Sequence, residues 1–509
     1  MYVRAGLVSL GLLLLSRLLG LMRESTQAAA FGATGLGDAV IVMFTLPDLL
    51  VGVLVSGALS YVLLPFWAQH GPQTVQRSQR QVAGSVLAVG ILLGMLIWLM
   101  RGAMSHLLAP GLQADMASLG ASSLAWSAAV LPLAMLAALW TTRLQHERDF
   151  VGMYAASLLV NLLLVAALAL IAINGMTAYT AGGSIFVLGC SLVLAMLARL
   201  SWLYWRLSKG LRLQRPAPLL GGMKVDLPKA TVWLWAALSS GMLLLLPVVG
   251  RSLASLSGEG ALATFNYAWK LIELPLVLAI QLVASLAFPV ITRTRDGSPE
   301  RAEALRLSFM LAWSLACAAI AVVGAFSLPL AKLLFGWGRM GADDLLVVAE
   351  WGAAGVWSLL PQALIAVVLT VMAISQQMHV AVWAYAAGIG VLVMVGWWGA
   401  ASGLASGLAV MWLLNMVLTG VALCLLFSQR RSVAGSVPVL PMLAPLAMGS
   451  VLVLSKPWLP AWGLAGSATL AGCFALLVMA SALAASPHLR RAALHWRSRP
   501  ALEADLTSD

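Results

Sequence analysis

The chain has 509 residues, of which 61% are hydrophobic and only 9% charged, and its formal net charge is +12. A water-soluble domain cannot hide so large a share of apolar side chains, so this composition excludes a soluble globular protein and makes lipid the main solvent. The four cysteines form no CxxC pair and the six histidines show no HExxH spacing. The sequence therefore predicts neither a metal site nor a cofactor.

Stretches of about 20 mainly apolar residues, the length of a bilayer-spanning helix, recur along the whole chain. They predict an all-α polytopic membrane protein with about 14 transmembrane helices, arranged as two six-helix bundles plus two C-terminal helices. In chain order the predicted segments are roughly 4–33, 37–69, 82–100, 116–142, 150–173, 179–205, 230–254, 261–292, 304–328, 344–373, 379–398, 404–428, 438–455 and 462–485. The first, second and eighth segments are long and contain polar residues, so we expect them to line an interior cavity.

The longest basic loop divides the two predicted bundles. The predicted domains are an N-terminal six-helix bundle at 1–206, a basic cytoplasmic linker at 207–229, a C-terminal six-helix bundle at 230–428, helices 13 and 14 at 429–485, and a cytoplasmic tail at 486–509. A faint internal echo supports two related halves: the stretch 46–65 of the second segment and the stretch 274–289 of the eighth both begin with Leu-Pro and end with a Ser followed closely by Pro.

Basic residues in short loops set the orientation, because positively charged loops remain in the cytoplasm. Most of the 30 Lys and Arg residues fall on one side when both termini are placed in the cytoplasm. Topology thus accounts for the positive charge, and no nucleic-acid partner is expected. Arg199 lies near the cytoplasmic end of its segment, where we expect it to snorkel toward water. Arg17, Arg23 and Lys270 lie within membrane segments and need another explanation.

The first segment concentrates polar residues at membrane depth. On a helix, Ser16, Gly20 and Arg23 share one stripe, and Arg17, Gly20 and Glu24 share the adjacent stripe. Each arginine at the membrane centre costs about 2.5–3.5 kcal/mol. Pairing with a nearby acid purely for packing is one explanation. A polar interior that receives an anion accounts better for the cost, because guanidinium binds phosphate through two parallel hydrogen bonds.

The second and eighth segments add further charged residues. Lys270 and Glu273 are spaced i,i+3, so they can pair while the site is empty. Asp38 and Asp48 lie at the start and in the middle of the second segment, where they could hold basic groups in place or take part in gating. For Asp38, an acid stabilised by the dipole at a helix N-terminus remains the alternative.

Glycine and proline mark positions where the predicted membrane helices can bend. The expected hinge and gating positions are Gly20, Pro47, Pro65, Pro275 and Pro289. The sequence contains no nucleophile elbow, no P-loop and no large polar loop rich in acids and histidines, so we do not expect an enzyme.

At these positions the chain resembles the MviN/MurJ family, the lipid II flippases of peptidoglycan synthesis within the MOP exporter superfamily. The matching stretches are SRLLGLMRE (16–24), AAAFGATGLGDAVIVMFTLPDLL (28–50), SGALSYVLLPFWAQ (56–69), FNYAWKLIELP (265–275) and SLAFPVITR (285–293). The order and spacing are similar over nearly the whole chain, and the first stretch is the most specific.

The resemblance implies a V-shaped pair of six-helix bundles in the bacterial inner membrane. It also implies a central cationic cavity formed by helices 1, 2, 7 and 8, and a lipid-tail groove at helices 13 and 14. The cavity arginines of the family fall on Arg17 and Arg23, and the family arginine of helix 8 falls on Lys270, which keeps the charge but not the bidentate fork.

The chain departs from the family pattern in helix 2. A family arginine pair that follows the sequence Leu-Pro-Asn-Leu-Leu falls on Val51 and Gly52, and the acid after it falls on Ser56. The cavity is therefore poorer in charge than the resemblance implies, and the identity of the lipid-linked glycan stays open.

The predicted function is a flippase that carries a polyprenyl-diphosphate-linked glycan, in the first place lipid II, to the outer leaflet by alternating access. Its partners are that lipid and the surrounding membrane lipids, in a monomer that cell-wall synthesis proteins could contact. A flippase for another lipid-linked oligosaccharide, of the exopolysaccharide type, is the first alternative. A small-molecule or drug antiporter of the superfamily is disfavoured by the basic residues, and a membrane glycosyltransferase by the lack of a catalytic loop.

Overall fold

The structure is a computed structural model that describes residues 2–178, 180–212, 225–280, 283, 291, 294, 298–403, 406–433, 435–459 and 463–494. All regular secondary structure in these ranges is helical. The α-helices in chain order are α1 (Tyr2–Phe31), α2 (Gly35–Val53), α3 (Leu59–Ala68), α4 (Pro72–Leu99), α5 (Arg101–Leu108), α6 (Ala114–His146), α7 (Phe150–Ala178), α8 (Ala181–Arg212), α9 (Ala230–Ala254), α10 (Ala261–Pro275), α11 (Pro299–Phe335), α12 (Ala342–Gly355), α13 (Leu359–Ile374), α14 (Met378–Ala401), α15 (Gly407–Ser428), α16 (Arg430–Val433), α17 (Val439–Leu454) and α18 (Leu464–Ala485). The prediction of an all-α polytopic membrane protein is confirmed.

Within the described residues, 11 helices are long and apolar enough to cross a membrane, and α3 and α17 are shorter apolar helices. The second predicted segment is built from α2, a π-helix at Leu54–Ala58 and α3 in direct succession. The helices α1 and α10 coincide with the first predicted segment and the beginning of the eighth. These assignments agree with the predicted order of membrane segments.

The chain divides into two compact units. The first comprises Met1–Tyr267, Phe335–Asp344 and Gly399–Gly407, and the second comprises Ala268–Leu334, Leu345–Trp398 and Leu408–Asp509. The predicted bundle boundaries stay a prediction. Most of the predicted basic linker, at 213–224, and the end of the predicted tail, at 495–509, lie outside the described residues.

Small residues let the helices of the first unit approach closely. A Cβ atom on Gly94 of α4 would lie 2.6 Å from the backbone oxygen of Ala128 in α6, and one on Gly90 would lie 2.9 Å from the Cα atom of Pro132. Lipid tails are as apolar as the side chains, so close backbone packing of this kind replaces the hydrophobic drive that operates in water. The glycines therefore fix α4 against α6.

In the second unit, α11 is kinked where it packs against α17 and α18. Phe326 has non-helical backbone angles (φ −113°, ψ 26°) and precedes Pro329 in the same helix. Proline supplies no N–H to the carbonyl four residues earlier and its ring crowds that carbonyl, so the helix bends there. Phe326 and Phe474 of α18 meet edge to face with their ring centres 5.2 Å apart. The bend thus belongs to the core of this unit.

Candidate substrate-binding site

The arginine near the C-terminal end of α1 is held by two carboxylates. One terminal nitrogen of Arg23, Nη2, donates to Glu24 Oε1 at 2.9 Å and to Asp48 Oδ2 at 3.2 Å. Its guanidinium also lies 5.2 Å from the centre of the Phe44 ring. The side chain of Arg23 is only 14% exposed, whereas that of Asp48 is 57% exposed. Two carboxylates and an aromatic face thus offset the cost of a buried cation.

A chain of hydrogen bonds extends from Glu24 into the other half of the first unit. Asn266 Nδ2 of α10 donates to Glu24 Oε2 at 2.9 Å, and Arg251 Nη1 of α9 donates to Asn266 Oδ1 at 2.8 Å. Asn266 belongs to the second-half stretch that resembles the family, but it was not among the predicted site residues. The sequence feature that indicates Asn266 is an amide side chain within an apolar helix, four residues before Lys270.

A small polar cavity lies beside Arg23 inside the first unit. Its volume is about 110 Å³, enough for several water molecules. The residues that line it come from α1, α2, α7 and α8: Arg23, Phe44, Pro47, Asp48, Ser157, Val160, Asn161, Leu164, Leu192, Met196 and Arg199. The cavity combines two guanidinium groups, one carboxylate, a hydroxyl and an amide with an apolar wall.

Arg199 does not snorkel as the sequence predicted. It lies about 13 residues from the end of α8 at Arg212, or about 20 Å along the helix axis, and is only 8% exposed. Its Nη2 atom is 3.4 Å from the Thr141 hydroxyl, and its Nε atom has no hydrogen-bond partner within the described part of the chain. The side chain lies on the face of α8 that packs inside the bundle, so it enters the cavity instead of reaching water.

Asp38 caps the N-terminus of α10. Its two oxygens accept the backbone N–H groups of Gly260 at 2.9 Å and Ala263 at 2.7 Å, at the N-terminus of α10, and the residue is 2% exposed. In return, Glu259 Oε1 accepts the N–H of Gly35 at the N-terminus of α2, at 3.0 Å. Each acid therefore satisfies free N–H groups and the positive dipole end of the other helix. We call this arrangement the reciprocal cap.

Glycine is required where the reciprocal cap brings backbones together. Gly260 has φ +76°, and a Cβ atom on it would lie 2.0 Å from the backbone oxygen of Ala33. A residue with a side chain would be strained by the backbone angle and would clash as well. The close approach therefore requires glycine at position 260, whereas at Gly258, which has open space, only the positive φ favours glycine.

Lys270 and Glu273 lie in the second unit, where the Lys270 Nζ atom is 2.7 Å from Glu273 Oε2. This is the i,i+3 pair that the spacing predicts. Both side chains are partly exposed, so the pair is accessible to a competing charge. Pro275 ends α10 directly after it, and a π-helix follows at Leu276–Ile280.

The remaining predicted residues of α1 lie on its face toward α7 or at its surface. Arg17 is exposed and lies within electrostatic range of Tyr154 in α7, and Ser16 is half-buried. A Cβ atom on Gly20 would lie 3.8 Å from Asn161 Nδ2, so Gly20 borders α7 closely. The helix runs unbroken from Tyr2 to Phe31, so Gly20 causes no kink here.

Two of the predicted hinge prolines lie inside helices of the second segment. Pro47 is buried within α2 and lines the cavity, and Pro65 lies within α3 and is exposed. The π-helix between the two helices adds an irregular turn of the type that accompanies functional sites. Pro289 lies outside the described residues.

Two of the three positions that depart from the family pattern face apolar neighbours. Val51 packs against an apolar cluster of the first unit built from α1, α2, α6, α7 and α8. A Cβ atom on Gly52 would lie 2.9 Å from a methyl group of Leu244 in α9, so a side chain there requires Leu244 to move. Ser56 lies in the π-helix.

Comparison with known proteins identifies the family. The family model described as "Lipid II flippase MurJ" matches residues 27–468. The chain belongs to the lipid II flippase MurJ family. That match runs from the end of α1 to the beginning of α18, and thus includes Asp38, Asp48, Asn266 and Lys270, while Arg17 and Arg23 precede it.

Similar proteins and structures agree with this family. The chain is 28% identical over 351 residues to a probable lipid II flippase MurJ of Rhizobium meliloti, an alignment that covers 66% of this chain and spans 63% of the length of that relative. It is 27% identical over 376 residues to the lipid II flippase MurJ of Burkholderia cenocepacia, covering 68% of each chain. A solved lipid II flippase MurJ in an inward closed conformation has a TM-score of 0.75 at 15% identity, with 97% of this chain and 99% of that chain covered.

A more distant structural neighbour is a multidrug resistance MATE family transporter of the MOP superfamily in an inward-facing conformation. It has a TM-score of 0.58 at 14% identity and covers 88% of this chain and 96% of that chain. At these identities the likeness concerns the fold alone. The chain is a multi-span membrane protein with the fold of this transporter superfamily.

Proposed function

We propose that the chain moves a polyprenyl-diphosphate-linked glycan from the inner to the outer leaflet of the bacterial inner membrane, with lipid II as the first substrate to test. The observation that carries the proposal is the buried guanidinium of Arg23, held by Glu24 and Asp48 beside a polar cavity. Carboxylates and phosphates bind the same N–H donors of a guanidinium, so a diphosphate can displace a carboxylate there. Membership of the lipid II flippase family supports the same substrate class.

Other predicted residues offer further contacts to an anion. The Lys270–Glu273 pair of the second unit can make an exchange of the same kind, in which the ammonium group leaves its carboxylate for a phosphate. Arg17 lies two turns before Arg23 on α1 and adds a cation that attracts the headgroup. The hydroxyl of Ser16 is a further donor on the same helix.

The membrane potential would supply the driving force. The cytoplasm is electrically negative, and each charge that crosses 100 mV is worth about 2.3 kcal/mol. Outward movement of a diphosphate is therefore downhill without ATP. The polyprenyl tail would remain in lipid, with α17 and α18 as the proposed groove.

Alternating access would require the reciprocal cap to open and close. Asp38 and Glu259 join the N-termini of α2 and α10 through three charge-assisted bonds to backbone N–H groups. Such bonds are strong enough to hold one state and few enough to break during a transport cycle. The proposed hinges are the predicted Gly20, Pro47, Pro65, Pro275 and Pro289.

The proposed orientation places both termini in the cytoplasm, as the distribution of basic residues predicts. In that orientation the reciprocal cap lies at the outer ends of α2 and α10. We propose that the protein works as a monomer that cell-wall synthesis proteins could contact. We also propose that it is a transporter and has no catalytic residues.

A second candidate function is the transport of another lipid-linked oligosaccharide. The observation that favours it is the apolar surrounding of Val51 and Gly52, where the family pattern has two arginines. A headgroup with a different charge distribution would suit a helix 2 that lacks them.

The test is to ask whether the gene restores growth when an essential lipid II flippase is depleted, and whether the purified protein flips lipid II in proteoliposomes. Rescue and flipping by the wild-type protein at ordinary expression would support lipid II as the substrate. Proteoliposomes that flip another polyprenyl-diphosphate glycan but not lipid II would favour the second candidate. A membrane-inserted protein that flips neither would contradict the proposed function.

A further inference from the structure

The most unusual charge in the first unit is Arg199, which the family resemblance did not include. It is more than nine-tenths buried, it borders the cavity beside Arg23, and its Nε atom lacks a hydrogen-bond partner within the described residues. The Nε atom of Arg23 is also without a partner there. A buried donor left without a hydrogen bond is costly, and more so on a charged group, so two such donors around one cavity point to an acceptor that enters it.

Position 51 relates this charge to the family pattern. Val51, where the family pattern has an arginine, lies three residues after Asp48 and seven after Phe44 on α2. Helix geometry therefore places it on the face of α2 that contributes those two residues to the cavity, one turn beyond Asp48. A long side chain at position 51 would extend from this face of α2, whereas Arg199 borders the cavity from α8.

Position 48 departs from the family pattern as well, because this chain has Asp48 where the family sequence has asparagine. The Asp48 carboxylate lines the cavity and accepts a hydrogen bond from Arg23 at 3.2 Å, yet its side chain is 57% exposed. Because much of the Asp48 side chain is exposed, its carboxylate can separate from Arg23 at a low free-energy cost. Glu24, in contrast, is buried and also binds Asn266, so it would stay in place.

We propose that this cavity is an oxyanion site whose ligands are Arg23 and Arg199, that Arg199 replaces from α8 the arginine absent at position 51, and that Asp48 is the internal anion displaced when a phosphate binds. This inference rests on the proposed function for the identity of the lipid. The chemistry it needs is a phosphate or diphosphate group, which accepts hydrogen bonds from both guanidinium groups.

The size of the cavity suits a phosphate group. A volume of about 110 Å³ accommodates a phosphate group in place of several waters. Ser157 and Asn161 of α7 line the same cavity and supply further polar groups.

A competing explanation is that Arg199 only neutralises Asp48. The two explanations disagree about a double variant. If Arg199 serves only Asp48, then Asp48→Asn with Arg199→Met removes both charges together and restores the family residue at 48, so binding and transport should match the wild type. If Arg199 binds the anion, this double variant remains deficient.

The first experiment measures the affinity of the purified protein for inorganic pyrophosphate and for undecaprenyl diphosphate. We expect Arg199→Met, alone or combined with Asp48→Asn, to weaken binding of undecaprenyl diphosphate about tenfold or more, the usual effect of losing one charged hydrogen-bond donor. Asp48→Asn alone should strengthen binding, because the competing carboxylate is gone. Arg101→Met, a change of the same kind at a partly exposed arginine of α5 outside the cavity, is the matched control and should leave the affinity unchanged.

The pyrophosphate measurement distinguishes two sources of the anion. Parallel weakening for both probes means that the site also takes free diphosphate, and weakening for the lipid alone means that the site is specific for a lipid headgroup. Both results support an oxyanion site. Wild-type affinity of the Asp48→Asn, Arg199→Met double variant for both probes would overturn the proposal.

The second experiment adds Val51→Arg to Arg199→Met and measures flipping in proteoliposomes. We expect this pair to recover a large part of the activity lost in Arg199→Met, because a guanidinium group then extends toward the cavity from α2.

The Arg199→Lys variant, which keeps the charge and most of the volume, shows whether misfolding causes the loss of binding in Arg199→Met. We expect Arg199→Lys to fold normally and still bind weakly. Arg199→Lys and Arg199→Met at wild-type affinity and flipping rate would exclude Arg199 from the site. Absence of flipping by a wild-type protein whose binding depends on Arg199 would contradict the proposed transport and leave the oxyanion site standing.

Discussion

Replacement of Asp38 by asparagine tests whether the reciprocal cap holds α10 in place. The carboxylate accepts two backbone N–H groups, of Gly260 and Ala263, in a site that is 2% exposed. An asparagine side chain has nearly the same size, but only its carbonyl oxygen can accept. Its NH₂ group would point a donor at one of the two N–H donors, which leaves that N–H unsatisfied.

The expected loss is that of one hydrogen bond to a charged group, about 1.5–3 kcal/mol. Since each 1.4 kcal/mol is a factor of about ten, the turn that begins α10 should open about 10 to 100 times more often. Hydrogen exchange followed by mass spectrometry reads this directly, because the amides of Gly260 and Ala263 are the groups that Asp38 protects.

The matched control is Asp115→Asn, which changes an exposed acid in the first turn of α6 and should leave exchange around α10 unchanged. Glu259→Gln should increase exchange at the start of α2, near Gly35, by a smaller factor, because a single bond is altered there and the amide oxygen can still accept it. Equal exchange rates of the turn before α10 in Asp38→Asn and wild-type protein would refute the reasoning.

Changes at three further positions, Arg23, Lys270 and Gly94, have definite expected outcomes. Arg23→Ala should abolish flipping in proteoliposomes while the protein stays inserted and folded, and normal flipping at normal protein level would remove Arg23 from the site. Lys270→Arg should keep or raise the flipping rate because it restores the bidentate fork, whereas Lys270→Glu should be inactive; equal rates for the two would exclude Lys270. Gly94→Val should lower the thermal stability of the purified protein clearly, because its side chain would collide with the Ala128 carbonyl at 2.6 Å, whereas Gly102→Val, which has open space, should change it little.

Composition and spacing were enough to predict the kind of fold. Apolar stretches of bilayer length require helices, because no water inside the membrane satisfies free backbone groups. The spacing of Lys270 and Glu273 was also enough to predict their ion pair, since helix geometry alone places residues three apart on one face.

The positions of Asp38 and Arg199 could not be derived in this way. Asp38 lies in the first turn of α2, and the sequence offers three roles for it: holding basic groups, gating, or stabilisation by the dipole of its own helix. Its capping of α10, more than 200 residues away along the chain, is visible only in the structure. For Arg199 the sequence shows a position near the end of an apolar segment, but not that its side chain lies on the buried face of α8 beside the cavity. Both contacts depend on tertiary partners, which local periodicity does not specify.

The residues at positions 48, 51 and 199 are best considered together, because they determine the charge in and beside one cavity. Relative to the family pattern, α2 gains a carboxylate at Asp48 and lacks the guanidinium at Val51, while α8 places Arg199 in the adjoining cavity. A buried arginine in a membrane helix is costly, and a neighbouring carboxylate together with a polar cavity lowers that cost. An anion-binding cavity depends on the groups that converge in its space and not on the helix that carries each of them. A count of arginines along α2 alone therefore understates the positive charge available to a phosphate group. If the helix that carries the guanidinium is unimportant, Val51→Arg must restore the flipping that Arg199→Met loses.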